Sequence, residues 1–330
     1  MVLKCLFCFS LAFVVAFIIS PLIFSFCKKI KASQTILHYV DAHKSKQGTP
    51  TMGGIIFIAG TIVSSFFAFN TDYTFALLIV ITMLAYATLG FLDDFIKIKE
   101  KQNRGLRAYQ KVIGQVGISL IIALFVYSYV GTSIAIPFSS TKLDLGIFII
   151  PFIVIFFVAF VNSVNLIDGL DGLCSGVSIA YLISFIFLLS LSLISLSGTI
   201  LTEIQNLILV CSCLVGALFA WQIFNGYPAT IFMGDTGSLA IGGFLSAAAV
   251  FSGYELYVLI LGLPFVLTSL SDIIQVAYFK KTKKRVFLMA PLHHHFEKKG
   301  FNENKIVIVY IIITCLLGVL TYSLASIFGV

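Results

Sequence analysis

Charge is what this sequence of 330 residues has least of, at 11% Asp, Glu, Lys and Arg against roughly a quarter in a soluble globular chain. Hydrophobic residues make up 59% and mean hydropathy is +1.07, so the few charges cannot coat a 36.1 kDa particle. That excludes a water-soluble enzyme and leaves a surface that faces lipid. The basic excess, 21 Lys and Arg against 14 Asp and Glu, lies in short segments between long apolar runs. It therefore reports membrane orientation and implies no nucleic-acid partner. A disulfide or zinc framework is missing too. Of the seven cysteines, Cys27 ends an apolar run and the others lie inside one, and the Cys5/Cys8 pair lacks the polar setting of a redox motif. The first apolar run has no small-x-small cleavage signature and ends at Lys28-Lys29, which reads as a retained helix. No repeat, low-complexity tract or second domain is present, so residues 1–330 are expected to form a single transmembrane domain.

What is there is a series of apolar segments, each about the 20 residues that a membrane-crossing helix needs. Ten are expected, over 5–26, 52–69, 73–92, 112–130, 145–161, 173–196, 204–224, 239–251, 256–279 and 306–328. The eighth is short and Gly-rich, so it could be a re-entrant piece and the spans nine. Nineteen of the 21 basic residues fall in the loops after spans one, three and nine; only Lys4 and Lys142 lie elsewhere. The odd-numbered loops are then cytoplasmic and both termini periplasmic. The fold class expected is an all-α polytopic integral membrane protein.

This topology sorts the acids. Asp93, Asp94, Asp168, Asp171 and Asp235 fall at cytoplasmic ends of spans, whereas Asp72, Asp144, Glu203 and Glu255 are isolated on the other face. The loops holding Asp168, Asp171 and Asp235 contain no Lys or Arg. Their neutralising partner must come from outside the loop, and a divalent cation is the natural candidate. In Asn162–Gly172, Asp168 and Asp171 are three apart, which a helical turn would place on one face; capping of span six by Asp171 is the plainer alternative. In Asn225–Ser238, Asp235 and Ser238 flank Gly237 at the expected start of span eight, where free N–H groups favour anions. An N-cap would explain Asp235 equally, as would a Mg²⁺ shared between one carboxylate and substrate phosphates. Asp93 and Asp94 are adjacent and repel each other unless a cation intervenes, and the basic stretch from Lys97 to Lys111 supplies charge for phosphate.

Two further segments are unusual. Lys46–Gly54 sets a proline, two threonines and paired glycines at the start of span two, without the full P-loop pattern. Met289–Glu297 carries His293, His294 and His295 in succession. Consecutive side chains diverge, so three cannot readily hold one metal, and contacts to a nucleotide or pyrophosphate suit them better.

In order, Lys-x-Gly-Thr-Pro-Thr-Met-Gly-Gly, Asp-Asp-x-x-Lys, Asn-Leu-x-Asp-Gly-Leu-Asp-Gly, Gly-Asp-Thr-Gly-Ser and Ala-Pro-Leu-His-His-His-Phe-Glu span about His43 to Gly300. Together they resemble the phospho-N-acetylmuramoyl-pentapeptide-transferase family of the polyprenyl-phosphate N-acetylhexosamine-1-phosphate transferase superfamily. The resemblance implies ten helices in the bacterial inner membrane and a site at the cytoplasmic face. It implies transfer of phospho-N-acetylmuramoyl-pentapeptide from its UDP donor to undecaprenyl phosphate, with UMP released, lipid I formed and Mg²⁺ required. A homodimer is an allowed assembly. Carried over by position, Asp235 matches the Mg²⁺ ligand, and Asp93 and Asp94 match the pair near the lipid phosphate, with Asp93 the candidate base. Asp168, Asp171 and His293 match catalytic-centre positions, and Lys46, Thr51, Lys111, Asn165, Asn225, Phe232 and His294 match positions around the substrate.

The sequence departs from that pattern at Ser163, Ile167 and Leu288, and at Thr268, where the family usually has Glu; an acid appears one turn on, at Asp272. A related N-acetylhexosamine-1-phosphate transferase is the nearest rival, and a transporter is the rival of another class. Direct attack by the lipid phosphate and a two-step route through an aspartate nucleophile both remain open.

Overall fold

The computed structural model describes residues 1–29, 48–69, 71–100 and 105–328. Lys46, expected at the site, lies outside them. The twelve helices of the described residues are α1 (Val2–Lys29), α2 (Ile55–Ala68), α3 (Thr74–Glu100), α4 (Ala108–Phe125, extended by a π-helical turn, Val126–Val130), α5 (Ile149–Leu166), α6 (Leu173–Ser192), α7 (Gly198–Asn225), α8 (Gly234–Ser252), α9 (Val258–Leu261), α10 (Leu263–Thr282), α11 (Leu292–Lys298) and α12 (Glu303–Phe328). A two-stranded hairpin, β1 (Ser133–Ala135) and β2 (Lys142–Asp144), pairs antiparallel with Ile134 opposite Leu143. The chain is an all-α polytopic membrane protein. Among the described residues, eight helices are long and apolar enough to cross a bilayer, or nine if the bent pair is one span.

Each of the ten apolar segments contains a helix, but two deviate from simple spans. α2 has only 14 residues. The break falls in the ninth segment, not the Gly-rich eighth: Glu255–Leu261 and Leu263–Thr282 meet at 82°. Pro264 sits in the first turn of α10 just after Gly262, and a residue without an N–H is tolerated at a helix start but not inside one. The eighth segment instead forms α8, a 19-residue helix whose span is the most enclosed of the eight.

Small residues explain how α8 becomes central. Helices gain no hydrophobic drive from association in lipid, so close packing depends on missing side chains. A Cβ on Gly242 would lie 2.8 Å from Val161 Cα of α5, and one on Gly243 2.8 Å from Tyr86 Cγ of α3. At the lower end of the same contact, Gly90 of α3 lies directly against the Asp235 carbonyl. α1 joins the bundle by a ridge of Cys8, Ala12, Ala16 and Ser20, spaced by four, with Gly60 of α2 seated on Ala12 and Ala16. Its cysteines are packing residues: all seven in the chain are free.

Helix ends are closed by side chains from other helices. Glu203 of α7 accepts the Thr74 and Phe75 N–H groups at 3.1 and 2.8 Å and so caps α3. The charges isolated on that face are therefore structural at Glu203, and at Asp144, which accepts from Thr132 Oγ1 and from the Gly146 N–H.

Candidate active site

The last turns of α3 and α5 and the first turns of α4 and α8 meet at one end of the bundle. Asp93 and Asp94, both buried, are adjacent on α3 and point to different partners. Asp93 Oδ1 accepts the Leu106 N–H at 2.7 Å, and its Oδ2 lies 2.6 Å from Lys97 Nζ and 3.1 Å from Lys111 Nζ. Asp94 turns toward α8. Its two oxygens accept the Asp235 N–H at 3.2 Å, the Thr236 N–H at 2.9 Å and the Thr236 hydroxyl at 2.7 Å. Asp94 is thus the N-terminal cap of α8, made from another helix, and satisfies donors that have no partner inside α8.

Asp235 sits in the first turn of α8 and is held on both oxygens. Lys111 and Lys97 reach its Oδ2 at 2.6 and 2.9 Å, and Asn165 of α5 donates to its Oδ1 at 2.9 Å and to Ser238 Oγ at 2.8 Å. The alternative in which Asp235 caps its own helix does not hold, because Asp94 occupies that role. The partner expected from outside the loop is, in this structure, a pair of lysines from α3 and α4. Carboxylate oxygens of Asp93, Asp94 and Asp235 lie within 4.8 Å of one another. The two ammonium groups offset two of these three charges. With side chains 30% and 23% exposed, they are the open side of the cluster.

The Asn162–Gly172 segment contributes differently from expectation. α5 ends at Leu166 and α6 begins at Leu173, so Asp168 and Asp171 lie in a turn and share no helical face. Asp171 Oδ2 accepts the Ala229 N–H at 2.9 Å, and its own N–H donates to Glu303 of α12 at 2.7 Å. The start of α6 is Gly172 in the left-handed region, φ +75°, which removes the Asp171 cap. The Asp168 carboxyl is pushed up to about 8, by burial first and then by the charges of Asp235, Asp94 and Asp171.

α11 delivers the histidines to the same place. Leu292 N–H donates to Ser271 Oγ of α10, fixing α11 against the broken span. His293 is fully buried, and its ring centroid is 4.4 Å from that of His294. Both rings face Gly169: a Cβ there would collide with His293 Nε2 and lie 3.1 Å from His294 Nε2. His294 Nδ1 is held by Glu297 at 2.9 Å. His295 turns away and accepts the Leu288 N–H at 3.1 Å, where burial and Lys299 lower its proton affinity.

Comparison with known proteins shows the same assignment from two directions. Residues 76–253 match the family described as glycosyl transferase family 4, and residues 46–58 match phospho-N-acetylmuramoyl-pentapeptide-transferase signature 1. A phospho-N-acetylmuramoyl-pentapeptide-transferase of Desulfitobacterium hafniense is 42% identical over 316 residues, covering 94% of each chain. The chain belongs to the phospho-N-acetylmuramoyl-pentapeptide-transferase family. Proteins of the same name from Clostridium kluyveri and a Thermoanaerobacter strain are each 41% identical, covering 96% of this chain and 99% and 98% of theirs.

Within this transferase family member, most of the residues expected at the site converge. Asp93, Asp94, Lys111, Asn165 and Asp235 form one bonded cluster. Thr51 borders it: a Cβ on Gly234, at φ +69°, would meet Asp94 and lie 2.9 Å from Thr51 Oγ1. Asn225 closes the adjoining loop, accepting the Gly172 N–H at 3.2 Å and donating to the Ile231 carbonyl at 3.0 Å. Phe232 is half-buried and ties that loop to span two through Pro50 and Gly53. Asp272 on α10 is half-buried, one turn beyond the buried Thr268. Lys97, read from the sequence as charge for phosphate and not as a partner of the acids, touches all three carboxylates, as its place three and four residues after Asp94 and Asp93 allows. Thr236 was missed: it gave no comparable signal, because its role depends on α3 docking against α8.

Proposed function

We propose that this chain transfers phospho-N-acetylmuramoyl-pentapeptide from its UDP donor to undecaprenyl phosphate at the cytoplasmic face of the bacterial inner membrane, releasing UMP and forming lipid I. It is a phosphoglycosyl transferase. The observation that carries the reading for this particular site is the cluster of three carboxylates and two lysines at the one end of the bundle where the expected motifs meet. The same reading takes residues 1–330 as a single catalytic domain with both termini periplasmic, supported by the 19 basic residues on one set of loops.

The chemistry follows from charge. Both substrates are phosphates, and Lys97 and Lys111, on the open side of the cluster, are the cations placed to meet them. As Lys97 and Lys111 move onto the incoming phosphates, Asp93 loses its counter-ions and its proton affinity rises. Asp93 then takes whatever proton the lipid phosphate carries, and a phosphate oxygen of the lipid forms a bond to the phosphorus bearing the muramoyl sugar. The bond from that phosphorus to the bridging oxygen breaks, and the electron pair leaves with UMP. The route taken here is direct attack, with Asp94 held as the cap of α8 and Asp93 serving as the base. Asp235, Asp93 and Asp94 offer a set of hard oxygen donors of the kind that suits Mg²⁺, and Asp235 would be its principal ligand. When bound, the ion would supply charge screening at the donor pyrophosphate. Asp168, His293 and His294 line the approach beside Gly169 and are assigned to the donor, with Asn225, Phe232 and Thr51 shaping the adjoining wall.

The test is UMP release by the purified protein with undecaprenyl phosphate. Muramoyl-pentapeptide donor should turn over in Mg²⁺ and stop in EDTA, while UDP-N-acetylglucosamine should give nothing. Turnover of only the second donor would assign the chain to the sister group instead.

A further inference from the structure

One helical turn deeper in the bundle than the reacting cluster, a pair of amides joins two of the helices that build it. Gln115 of α4 and Asn162 of α5 bond reciprocally: Gln115 Nε2 donates to Asn162 Oδ1 at 3.3 Å, and Asn162 Nδ2 donates to Gln115 Oε1 at 2.7 Å. Gln115 is fully buried. Its carbonyl also accepts the hydroxyl of Tyr86, on α3, at 3.3 Å, and the Tyr86 ring stacks on Phe157 of α5 with centroids 6.0 Å apart. Three helices of the site therefore meet at this residue, and the proposed chemistry uses none of these groups.

The helical repeat connects the pair to the cluster. Gln115 comes four residues after Lys111 on α4, and Asn162 three before Asn165 on α5, so each amide shares a face with a residue that bonds Asp235. Lys111 reaches Asp235 Oδ2 at 2.6 Å and Asn165 reaches Oδ1 at 2.9 Å. The carboxylate is held from both sides by two helices that are themselves tied one turn away. Such bonds add little to helix association in lipid, where close packing suffices, and a buried amide without a partner is costly. What the pair adds over an apolar seam is register. Hydrogen bonds weaken steeply with distance and angle, so two opposed ones are satisfied in only one relative placement of α4 and α5.

We propose that Gln115 and Asn162 are positioning residues, whose amide pair fixes α4 against α5 so that the Lys111 ammonium stays on Asp235, placed for the incoming phosphate. A misplacement of about 1 Å can lower turnover about 100-fold, and a slide of α4 moves Lys111 as far as it moves Gln115. The inference rests on the transferase reading for its kinetic readout only.

Gln115→Met keeps the side-chain length and removes both bonds. Its kcat/KM for the muramoyl-pentapeptide donor, read as UMP release with undecaprenyl phosphate, should fall at least about tenfold. Gln115→Met combined with Lys111→Met should stay within about twofold of Lys111→Met alone, because the pair acts through that lysine. Gln115→Asn with Asn162→Gln keeps two opposed amides and should recover most of the loss. Should Gln115→Met fail to fold, Gln115→Met with Asn162→Leu leaves no orphan amide and gives the same comparison. A second readout needs no turnover: acylation of Lys111 by an amine-reactive ester, followed by mass spectrometry. Released from Asp235, Lys111 should label about tenfold faster in the variant, the protection given by one hydrogen bond between charged groups. Lys142, exposed on β2, should label at the wild-type rate in both. A wild type that releases no UMP would end the transferase reading and leave the labelling to decide the role of the pair. Unchanged labelling of Lys111, or losses that add in the combined variant, would overturn the proposal.

Discussion

Asp94→Asn separates a residue that positions the site from one that reacts in it. The carboxylate accepts three hydrogen bonds from the first turn of α8, the Asp235 N–H on Oδ1 and the Thr236 N–H and hydroxyl on Oδ2. An amide keeps one oxygen and turns two N–H donors toward a helix end that is itself all donors. At least one buried N–H loses its partner, about 1–3 kcal/mol, and the anion that complements the helix dipole is gone, up to about 1 kcal/mol more. The sum is about 1–4 kcal/mol, enough to lower the unfolding midpoint by several degrees at its upper end. The buried cysteines, Cys8, Cys27, Cys174, Cys211 and Cys213, make a thiol-reactive dye a direct reporter in detergent. Asp235→Asn is the control. It removes the acceptor that Lys97, Lys111 and Asn165 share, so UMP release should be lost whatever its midpoint. If Asp94→Asn abolishes UMP release with an unchanged midpoint, the capping argument is refuted and Asp94 belongs among the reacting groups.

Other outcomes follow from the same geometry. Lys111→Met leaves Asp235 with Lys97 alone, and kcat/KM for the donor should fall about 10- to 150-fold, the range for a lost hydrogen bond between charged groups; unchanged kinetics would remove Lys111 from substrate binding. Gly169→Ala drives a Cβ into His293 and His294, so donor turnover should drop steeply without global unfolding, and a fully active variant would place the histidines elsewhere. Asp168, pushed up to about 8, keeps its proton when folded over an interval in which the unfolded chain has released it. Stability in EDTA should therefore fall as pH rises from about 4 to about 8, and Asp168→Asn should flatten that slope; equal slopes would deny the shift.

The membrane class was legible because lipid imposes a simple rule on composition: each apolar run of the sequence contains a helix. The acids and asparagines were legible as site residues because polar groups at membrane-buried ends need partners, and Asp93, Asp235 and Asn165 do find one another. Roles within the cluster were hidden, since they depend on which helices touch. Adjacent Asp93 and Asp94 look equivalent in sequence and diverge only because Gly90 lets α3 lie against the start of α8. Asp235 was read as a cap or a metal ligand, yet the lysines that neutralise it come from 124 and 138 residues away. The bend of the ninth segment, at Gly262 and Pro264, was not anticipated: the re-entrant reading fell on the glycines of the eighth, which are helix-packing surfaces.

The most direct test of the account is the formation of UMP and lipid I from the muramoyl-pentapeptide donor by wild type and Asp235→Asn side by side, with and without undecaprenyl phosphate. The wild type should release UMP only when the lipid phosphate is present, one UMP for each lipid I, and the variant, equally folded, should release none. UMP release without the lipid, or full turnover by Asp235→Asn, would contradict direct transfer at this cluster.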